Sequence, residues 1–245
     1  MGFSKFKYTS VSKAGFKRAQ NEDAIGIFDF DKGLLCVVCD GLGGNNAGEV
    51  ASSLSVETIH KSFNLSNHPD YLERLKLCIL DANQLLLDRT LSEHSLKGMA
   101  TTVEVFYLTD STAYWGHVGD SRIYNFKKGK LKQLTKDHSL VQRLIDEGYL
   151  SIKEAENHPN RNIITRALGE QTTIDMDLSK LKLLPDEYNL FLICTDGVTG
   201  VLRDTELETI LNNNDIEVIS QNIISLIEER GAPDNFSFVI IEKKN

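Results

Sequence analysis

An acidic residue stands at the edge of a strand-like apolar run at five places in this sequence. The five residues are Asp23, Asp40, Asp120, Asp196 and Asp234. Asp and Gly commonly end strands as turn residues, so any one of these sites alone indicates only a turn. If the strands lie side by side, however, the five carboxylates meet at one rim. There they would repel one another, and they could all stay ionised only beside cations.

The chemistry of such a rim follows from its ligand type. A set made of oxygen ligands favours Mg²⁺ or Mn²⁺ over Zn²⁺. The small Gly41 would let its backbone carbonyl approach a metal. Two such cations about 3.5–4 Å apart can hold a water molecule, lower its pKa and stabilise an in-line displacement on phosphorus.

One arginine lies close to this pattern in the chain. Arg18 comes five residues before Asp23, and a guanidinium beside a carboxylate-metal centre is a natural fork for phosphate oxygens. Taken alone, Arg18 would be a solvated surface residue. The glycine-rich run DGLGGNNAGE opens a helix and could cradle phosphate, but it is not a Walker loop because no GK[ST] follows.

The elements that must position these residues are mostly strands. Apolar runs predict strands at Ala24–Phe30, Leu34–Cys39, Thr102–Leu108, Thr112–Val118, Arg122–Phe126, Leu131–Leu134, Leu190–Cys194 and Phe236–Ile241. Periodic patterns predict helices at Gly48–Phe63, Asp70–Leu91, Thr205–Leu211 and Ile216–Glu229. A further helix around Leu140–Ile145 would be capped by Asp137 and closed by Gly148, and Asp204 would cap Thr205–Leu211. Strands in long series with helices packed outside them favour an α+β fold with antiparallel sheets, and residues 137–169 interrupt the series as an inserted element.

Composition sets the remaining limits. The chain has 245 residues, 41% of them hydrophobic, and a formal net charge of −8, which disfavours binding to nucleic acid. It contains no apolar run long enough to cross a bilayer. Cys36 and Cys39 form a CxxC, but residues three apart on a strand point to opposite faces, so we expect buried, reduced thiols. Such thiols are typical of a cytoplasmic protein.

Seven segments, taken together, resemble the metal-dependent protein serine/threonine phosphatases, the protein phosphatase 2C or PPM family, in its compact bacterial form. They are Arg18–Ala24 (RAQNEDA), Val38–Ser52 (VCDGLGGNNAGEVAS), Gly98–Thr102 (GMATT), Gly116–Tyr124 (GHVGDSRIY), Leu134–Ser139 (LTKDHS), Ile193–Gly197 (ICTDG) and Gly231–Phe238 (GAPDNFSF). They occur in the family's order and are spread along almost the whole chain. The resemblance implies an αββα sandwich, formed as a single catalytic domain over residues 1–245. It also implies hydrolysis of phosphoserine and phosphothreonine by direct attack of a metal-bridging water.

The resemblance also implies a role for each candidate residue. Asp40 would bridge two Mn²⁺ or Mg²⁺ ions, and the Gly41 carbonyl would bind one of them. Asp196 and Asp234 would complete the other site, with Asp23 close by, and Asp120 would help to hold a third, weaker metal. Arg18 would hold the substrate phosphate. The insertion at residues 137–169 falls where the family carries a mobile flap that shapes substrate access.

The sequence departs from the family pattern at the expected general acid. Compact relatives usually have a histidine where this chain has Asn45, and other members have one where it has Leu42. Asn cannot act as an acid near neutral pH, so a water or a flap histidine, His138 or His158, would have to protonate the leaving oxygen. The family motif GMGTT also reads GMATT here, with Ala100 in place of a glycine.

Three hypotheses remain open from the sequence. The chain is an active phosphatase, a phosphoprotein-binding protein with little turnover, or an unrelated sandwich whose acids are turn residues. For the active enzyme we expect phosphorylated proteins as substrates and a cognate Ser/Thr kinase as partner. We expect a cytoplasmic monomer that uses neither nucleic acid nor a membrane.

Overall fold

The computed structural model describes residues 6–43, 47–185 and 187–243. Its strands are β1 (Lys7–Lys13), β2 (Asp23–Phe30), β3 (Gly33–Leu42), β4 (Ala100–Thr101), β5 (Val103–Leu108), β6 (Thr112–Val118), β7 (Arg122–Lys127), β8 (Lys130–Gln133), β9 (Asp177–Lys182), β10 (Asn189–Cys194) and β11 (Phe236–Lys243). Its α-helices are α1 (Ala47–Leu65), α2 (Tyr71–Ser92), α3 (Leu140–Asp146), α4 (Ile152–Ala155), α5 (Asp196–Thr199), α6 (Asp204–Leu211) and α7 (Ile216–Glu229).

The strands form two antiparallel sheets. One has the order β1-β11-β10-β7-β8, and the other has the order β2-β3-β5-β6-β9, with β4 paired to β3. Side chains such as Val38, Phe106, Phe191 and Val239 fill the layer between the sheets. The turn from β6 to β7 passes from one sheet to the other.

The helices cover the outer faces of both sheets. Helices α1 and α2 pack on the sheet that contains β3 and β5, whereas α6 and α7 pack on the sheet that contains β10 and β11. The order of layers is therefore helix, sheet, sheet, helix, and the predicted αββα sandwich is confirmed. None of the helices in the described part of the chain is long and apolar enough to span a bilayer.

The predicted elements are found with small shifts of their ends, but three strands were missed. Of these, β1 and β9 lie at the edges of the two sheets. Their sequences, KYTSVSK and DLSKLK, carry lysines and little apolar surface. Charged edge strands resist pairing with another chain, and the same composition hides them from an apolar pattern. The third, β4, has only two residues.

Two predicted helix caps are wrong. The N-cap of α3 is Ser139, whose hydroxyl accepts from the backbone N–H of Gln142 at 3.2 Å. Asp137 instead accepts a hydrogen bond from Arg122, whose Nη2 lies 2.7 Å from Asp137 Oδ2. Asp204 is the first residue of α6 rather than its cap, and it accepts from the Tyr124 hydroxyl at 2.9 Å. Asp70, predicted as the first residue of its helix, is the N-cap of α2, with Leu72 N 2.9 Å from Asp70 Oδ1.

The cysteines lie as expected. All four are free and buried. Cys36 faces the layer between the sheets, and Cys39 faces the helices on the outer side, so the CxxC is not a ligand pair.

Candidate metal centre

The two sheets bring the five predicted aspartates to one end of the sandwich. Asp23 begins β2 and lies directly opposite Asp40 in the ladder between β2 and β3. Asp196 follows β10 and Asp234 precedes β11, which are neighbours in the other sheet. Asp120 sits in the turn that joins β6 to β7, between the sheets. Asp23, Asp40, Asp120 and Asp196 each feel at least one other of the five as a repulsive charge.

The backbone around Asp40 is held on both sides. Its carbonyl accepts from Thr102 N at 2.9 Å and from the Thr101 hydroxyl at 2.8 Å. Its own N–H donates to Thr102 Oγ1 at 3.0 Å, and that hydroxyl also contacts Ser121 Oγ at 3.0 Å. The two threonines of the GMATT segment therefore fix the position of Asp40, a role that we did not predict.

Two glycines allow the close packing of the acidic loops. A Cβ at Gly41 would lie 2.2 Å from the carbonyl oxygen of Gly48 and 2.5 Å from that of Glu22. A Cβ at Gly197 would lie 1.8 Å from the carbonyl oxygen of Asn235. The second contact holds the Asp196 loop against the Asp234 loop, so any side chain at Gly197 would push the two acids apart.

Burial and mutual repulsion raise the pKa values of four of these carboxyl groups. Burial, opposed in part by hydrogen bonds from Ser237 and Thr195, brings the pKa of Asp23 to about 7. Burial and the charge of Asp196 raise the pKa of Asp120 to about 8. Burial, then Asp23 and Asp196, raise the pKa of Asp40 well above its usual range. The pKa of Asp196 is also raised, by burial and by Asp234.

The carboxylate oxygens of the aspartates are chemically suited to bind divalent cations. Asp23 Oδ1 and Asp120 Oδ1 are buried without a hydrogen-bond partner among the described residues, so both oxygens are available as ligands. Hard cations such as Mn²⁺ and Mg²⁺ take carboxylate oxygens and would offset the repulsion.

The carboxylates are nevertheless not gathered around one point. Within residues 6–43, 47–185 and 187–243, no three His, Cys, Asp or Glu side chains form a ready-made metal site. Pairwise contacts are the physical reason. Asp40 and Asp196 share a hydrogen bond, and Asp234 accepts from Arg18. A cation would have to replace these contacts, so the metal ligands stay a proposal.

Arg18 lies at the mouth of the cluster. Its Nη2 donates to Asp234 Oδ2 at 2.7 Å, and its side chain is 46% exposed. The hydrogen bond to Asp234 raises the pKa of Arg18, with Glu22 and Asp40 adding to the effect. A guanidinium held beside the acids and open to solvent is well placed to bind an incoming phosphate.

The structure argues against His138 as a general acid. His138 is buried, and its Nδ1 accepts from the N–H of Gly119 at 3.2 Å. Burial and the neighbouring His117 and Arg166 lower the pKa of His138 to about 4, so it has no proton to give near neutral pH. His158 Nδ1 accepts from Asn160 N at 3.1 Å, within its own loop. Leu42 is the last residue of β3, and Asn45 lies outside the described residues.

A buried pair of ionisable residues near the centre was also missed. Glu104 on β5 and His117 on β6 lie directly opposite each other and are fully buried. A signal was present, because each is a single ionisable residue within a run of strand residues, VEVFYL and TAYWGHV.

Comparison with known proteins gives the class of this fold and site. The model of the family described as Protein phosphatase 2C matches residues 16–220. The chain belongs to the protein phosphatase 2C family and is a metal-dependent protein serine/threonine phosphatase.

Curated relatives of full length support this assignment. The chain is 36% identical over 98% of its length, and 98% of the relative's, to a "Putative protein phosphatase 2C-type" of Streptococcus pyogenes serotype M6. It is 32% identical over 92% of its length, and 91% of the relative's, to the "Serine/threonine phosphatase stp" of Listeria monocytogenes serotype 4b.

Solved structures share the whole fold. Serine/threonine phosphatase Stp1 from Staphylococcus aureus matches with a TM-score of 0.91 at 30% identity, over 98% of this chain and 96% of that one. The catalytic domain of the phosphatase PstP, solved with two manganese ions, matches with a TM-score of 0.85 at 29% identity, over 97% of each chain.

Proposed function

We propose that residues 1–245 form one catalytic domain that hydrolyses phosphoserine and phosphothreonine monoesters at the acidic cluster. The observation that carries this proposal is the convergence of buried carboxylates from both sheets, which raises the pKa values of four of them. Repelling, buried acids with unpartnered oxygens destabilise a fold unless cations bind there.

The proposed ligand set is that of the sequence analysis. Asp40 would bind both ions of a pair, Gly41 would offer its carbonyl to one of them, and Asp196 and Asp234 would hold the other. Asp23 would act beside them, and Asp120 would serve a third, weaker ion. Two divalent cations supply the activated water and the positive charge that hydrolysis of a phosphate monoester requires.

The protein's own contribution is binding and orientation. Arg18 would exchange part of its contact with Asp234 for two oxygens of the substrate phosphate, and so align phosphorus over the acidic cluster. Thr101 and Thr102 hold the Asp40 backbone in place, which keeps the carboxylate at a fixed depth. Because His138 is uncharged, water is the proposed source of the proton for the leaving oxygen.

The substrates, partner, cellular location and oligomeric state of the enzyme are also proposals. The phosphatase activity supports phosphorylated proteins as substrates and, in signalling, a cognate Ser/Thr kinase as partner. The net charge of −8 supports a role without nucleic acid. Four free, buried thiols support a reducing, cytoplasmic location, and we propose that the protein acts there as a monomer with Mn²⁺ or Mg²⁺.

Hydrolysis of a phosphothreonine peptide and of p-nitrophenyl phosphate tests the function. Both substrates are assayed in Mn²⁺, in Mg²⁺ and in chelator, with Asp196→Asn as the blank. We expect metal-dependent release from both substrates, absent from the variant. Release from the nitrophenyl ester alone would show that the leaving-group proton is not supplied. Tight peptide binding without any release would show a binding protein instead.

A further inference from the structure

The buried pair of Glu104 and His117 lies next to the acidic cluster but is not part of it. Both side chains are fully buried and face the layer between the sheets, on the same side as Val38 and Phe106. Glu104 Oε1 contacts His117 Nδ1, and His117 Nε2 lies 2.9 Å from the carbonyl oxygen of Lys136. Lys136 directly precedes the flap segment, residues 137–169.

The hydrogen-bond partners fix how many protons the pair holds. A carbonyl oxygen only accepts, so His117 Nε2 must carry a proton. The contact between His117 Nδ1 and Glu104 Oε1 then needs one more proton, which sits on one atom or the other. The pair is therefore neutral in either form. It needs no cation, in contrast to the aspartates.

The flap stem, defined as residues 136–139, is tied to the turn that carries Asp120. His138 N donates to Gly119 O at 2.7 Å, and Gly119 N donates to His138 Nδ1 at 3.2 Å. The rings of His117 and His138 pack with centroids 4.3 Å apart. His117 thus supports the stem twice, by a hydrogen bond to Lys136 and by ring contact with His138.

The stem and the residue that follows it are also hydrogen-bonded to the far end of the flap. Thr165 N donates to His138 O at 2.7 Å, and Leu140 N donates to Ile163 O at 2.8 Å. Asp137 is held by Arg122, which follows Asp120 by two residues. Whatever orders the stem therefore orders both ends of the flap and the Gly119–Asp120 turn together.

We propose that Glu104 and His117 are positioning residues, whose buried hydrogen bond locks the flap stem against the Gly119–Asp120 turn. Glu104 sets the orientation of the imidazole, and His117 carries the tie to Lys136 and His138. The consequence for catalysis rests on the proposed function, whereas the ordering of the stem does not.

Hydrogen exchange of the metal-free protein tests the ordering without any assay of activity. His117→Asn leaves an amide that is too short to reach both Glu104 and Lys136. We expect faster exchange of the backbone amides in residues 136–140 and 163–166, by about fivefold or more, the factor expected from one ordinary hydrogen bond. Glu104→Gln keeps the shape and donates an amide N–H to Nδ1, so exchange should stay near the wild-type rate.

A control separates this effect from general loss of stability. Asn125 and Asn189 form another buried pair, 3.3 Å apart between β7 and β10. Asn125→Ala should lower the melting temperature without faster exchange at the stem. If Asn125→Ala speeds exchange at the stem as much as His117→Asn does, the pair is only structural. If Glu104→Gln behaves like His117→Asn, a hydrogen bond donated to Nδ1 does not orient the imidazole, and the proposed role of the buried hydrogen bond is wrong.

Activity gives a second, separable readout. In His117→Asn we expect the Mn²⁺ concentration for half-maximal activity and the KM for the phosphopeptide to rise. Lys17→Ala, an exposed control, should leave both values unchanged. Glu104→Gln should resemble the wild type. A uniform loss of kcat at unchanged KM and unchanged Mn²⁺ dependence would overturn the positioning role. If the wild type itself is inactive while the exchange results hold, only the proposed function fails.

Discussion

Two groups of ionisable residues, the Glu104–His117 pair and the aspartate cluster, lie side by side in this molecule. They differ in whether the chain itself balances their charge. Glu104 and His117 share one proton and are neutral as a pair, although Glu104 Oε2 has no hydrogen-bond partner among the described residues. The aspartates repel one another, and burial together with this repulsion raises their pKa values. The difference teaches that a compensated buried pair holds structure, whereas an uncompensated cluster indicates a ligand.

The comparison is tested most strongly by removing one charge from the acidic cluster. Asp40→Asn should lower kcat/KM by roughly 10³-fold or more, because a Lewis-acidic cation supplies several kcal/mol of transition-state stabilisation. The same variant should melt at a higher temperature than the wild type in chelator, since one repelling group is gone. Calorimetry and a phosphopeptide assay measure the two effects. A metal-free variant that is less stable than the wild type would contradict the claim that the cluster is uncompensated.

A smaller loss is expected at the mouth of the cluster. Arg18→Ala should lower kcat/KM by roughly 10–150-fold, the effect of losing hydrogen bonds to a charged group. Arg18→Lys should recover only part of this loss, because an ammonium cannot bind two phosphate oxygens as a fork. Lys17→Ala, an exposed neighbour, serves as the control. Equal losses in Lys17→Ala and Arg18→Ala would show that only local charge matters.

The pH dependence of stability should distinguish the metal-free from the metal-loaded protein. An unfolded Asp titrates near pH 3.9, whereas Asp120 in the fold has a pKa of about 8, so the folded chain binds more protons between these values. The free energy of unfolding must then fall as pH rises from about 6.5 to about 8. The lowered pKa of His138 makes the free energy of unfolding rise with pH instead, but that rise ends below this range.

Thermal melts in chelator at several pH values measure this fall. Saturating Mn²⁺ should flatten it, because bound cations favour the ionised acids at every pH of the range. Asp120→Asn should reduce the slope in chelator. A melting temperature that rises with pH in chelator would contradict the raised pKa values.

The smallest effect is expected at His138. His138→Gln keeps an acceptor for the Gly119 N–H, and the native imidazole is uncharged near neutral pH. The loss in kcat should stay below about tenfold, short of the factor of 10² to 10⁴ that a general acid contributes. The pH profile of kcat should keep its shape. A larger loss, together with disappearance of the basic limb, would restore His138 as the acid.

Much of the acidic centre could be predicted because its signal is local. Asp40 and Asp196 directly follow buried apolar strands, and the ladder sets Asp23 opposite Asp40. The order of strands and helices predicted antiparallel sheets with helices outside them, and the family resemblance implied the sandwich. The edge strands β1 and β9 could not be found, since lysines replace the apolar residues that mark a buried strand.

The features that the sequence did not predict depend on contacts between distant segments. Asp and Ser side chains are both common helix caps. Only the fold shows that Asp137 instead accepts a hydrogen bond from Arg122, which leaves Ser139 as the cap. Glu104 and His117 were visible as polar residues in apolar runs, but their register across β5 and β6 is a long-range property. The pairing of Asp40 with Asp196 is likewise set by the two sheets and not by the sequence near either residue.

Calorimetric titration with Mn²⁺ at about pH 7.5, in two buffers with different heats of protonation, tests the central claim most directly. Because the buried acids hold protons before the metal binds, we expect at least two Mn²⁺ ions per chain and a net release of protons. Asp40→Asn should bind fewer ions. Binding without proton release would show that the acids were already ionised, and absence of binding would remove the metal centre altogether.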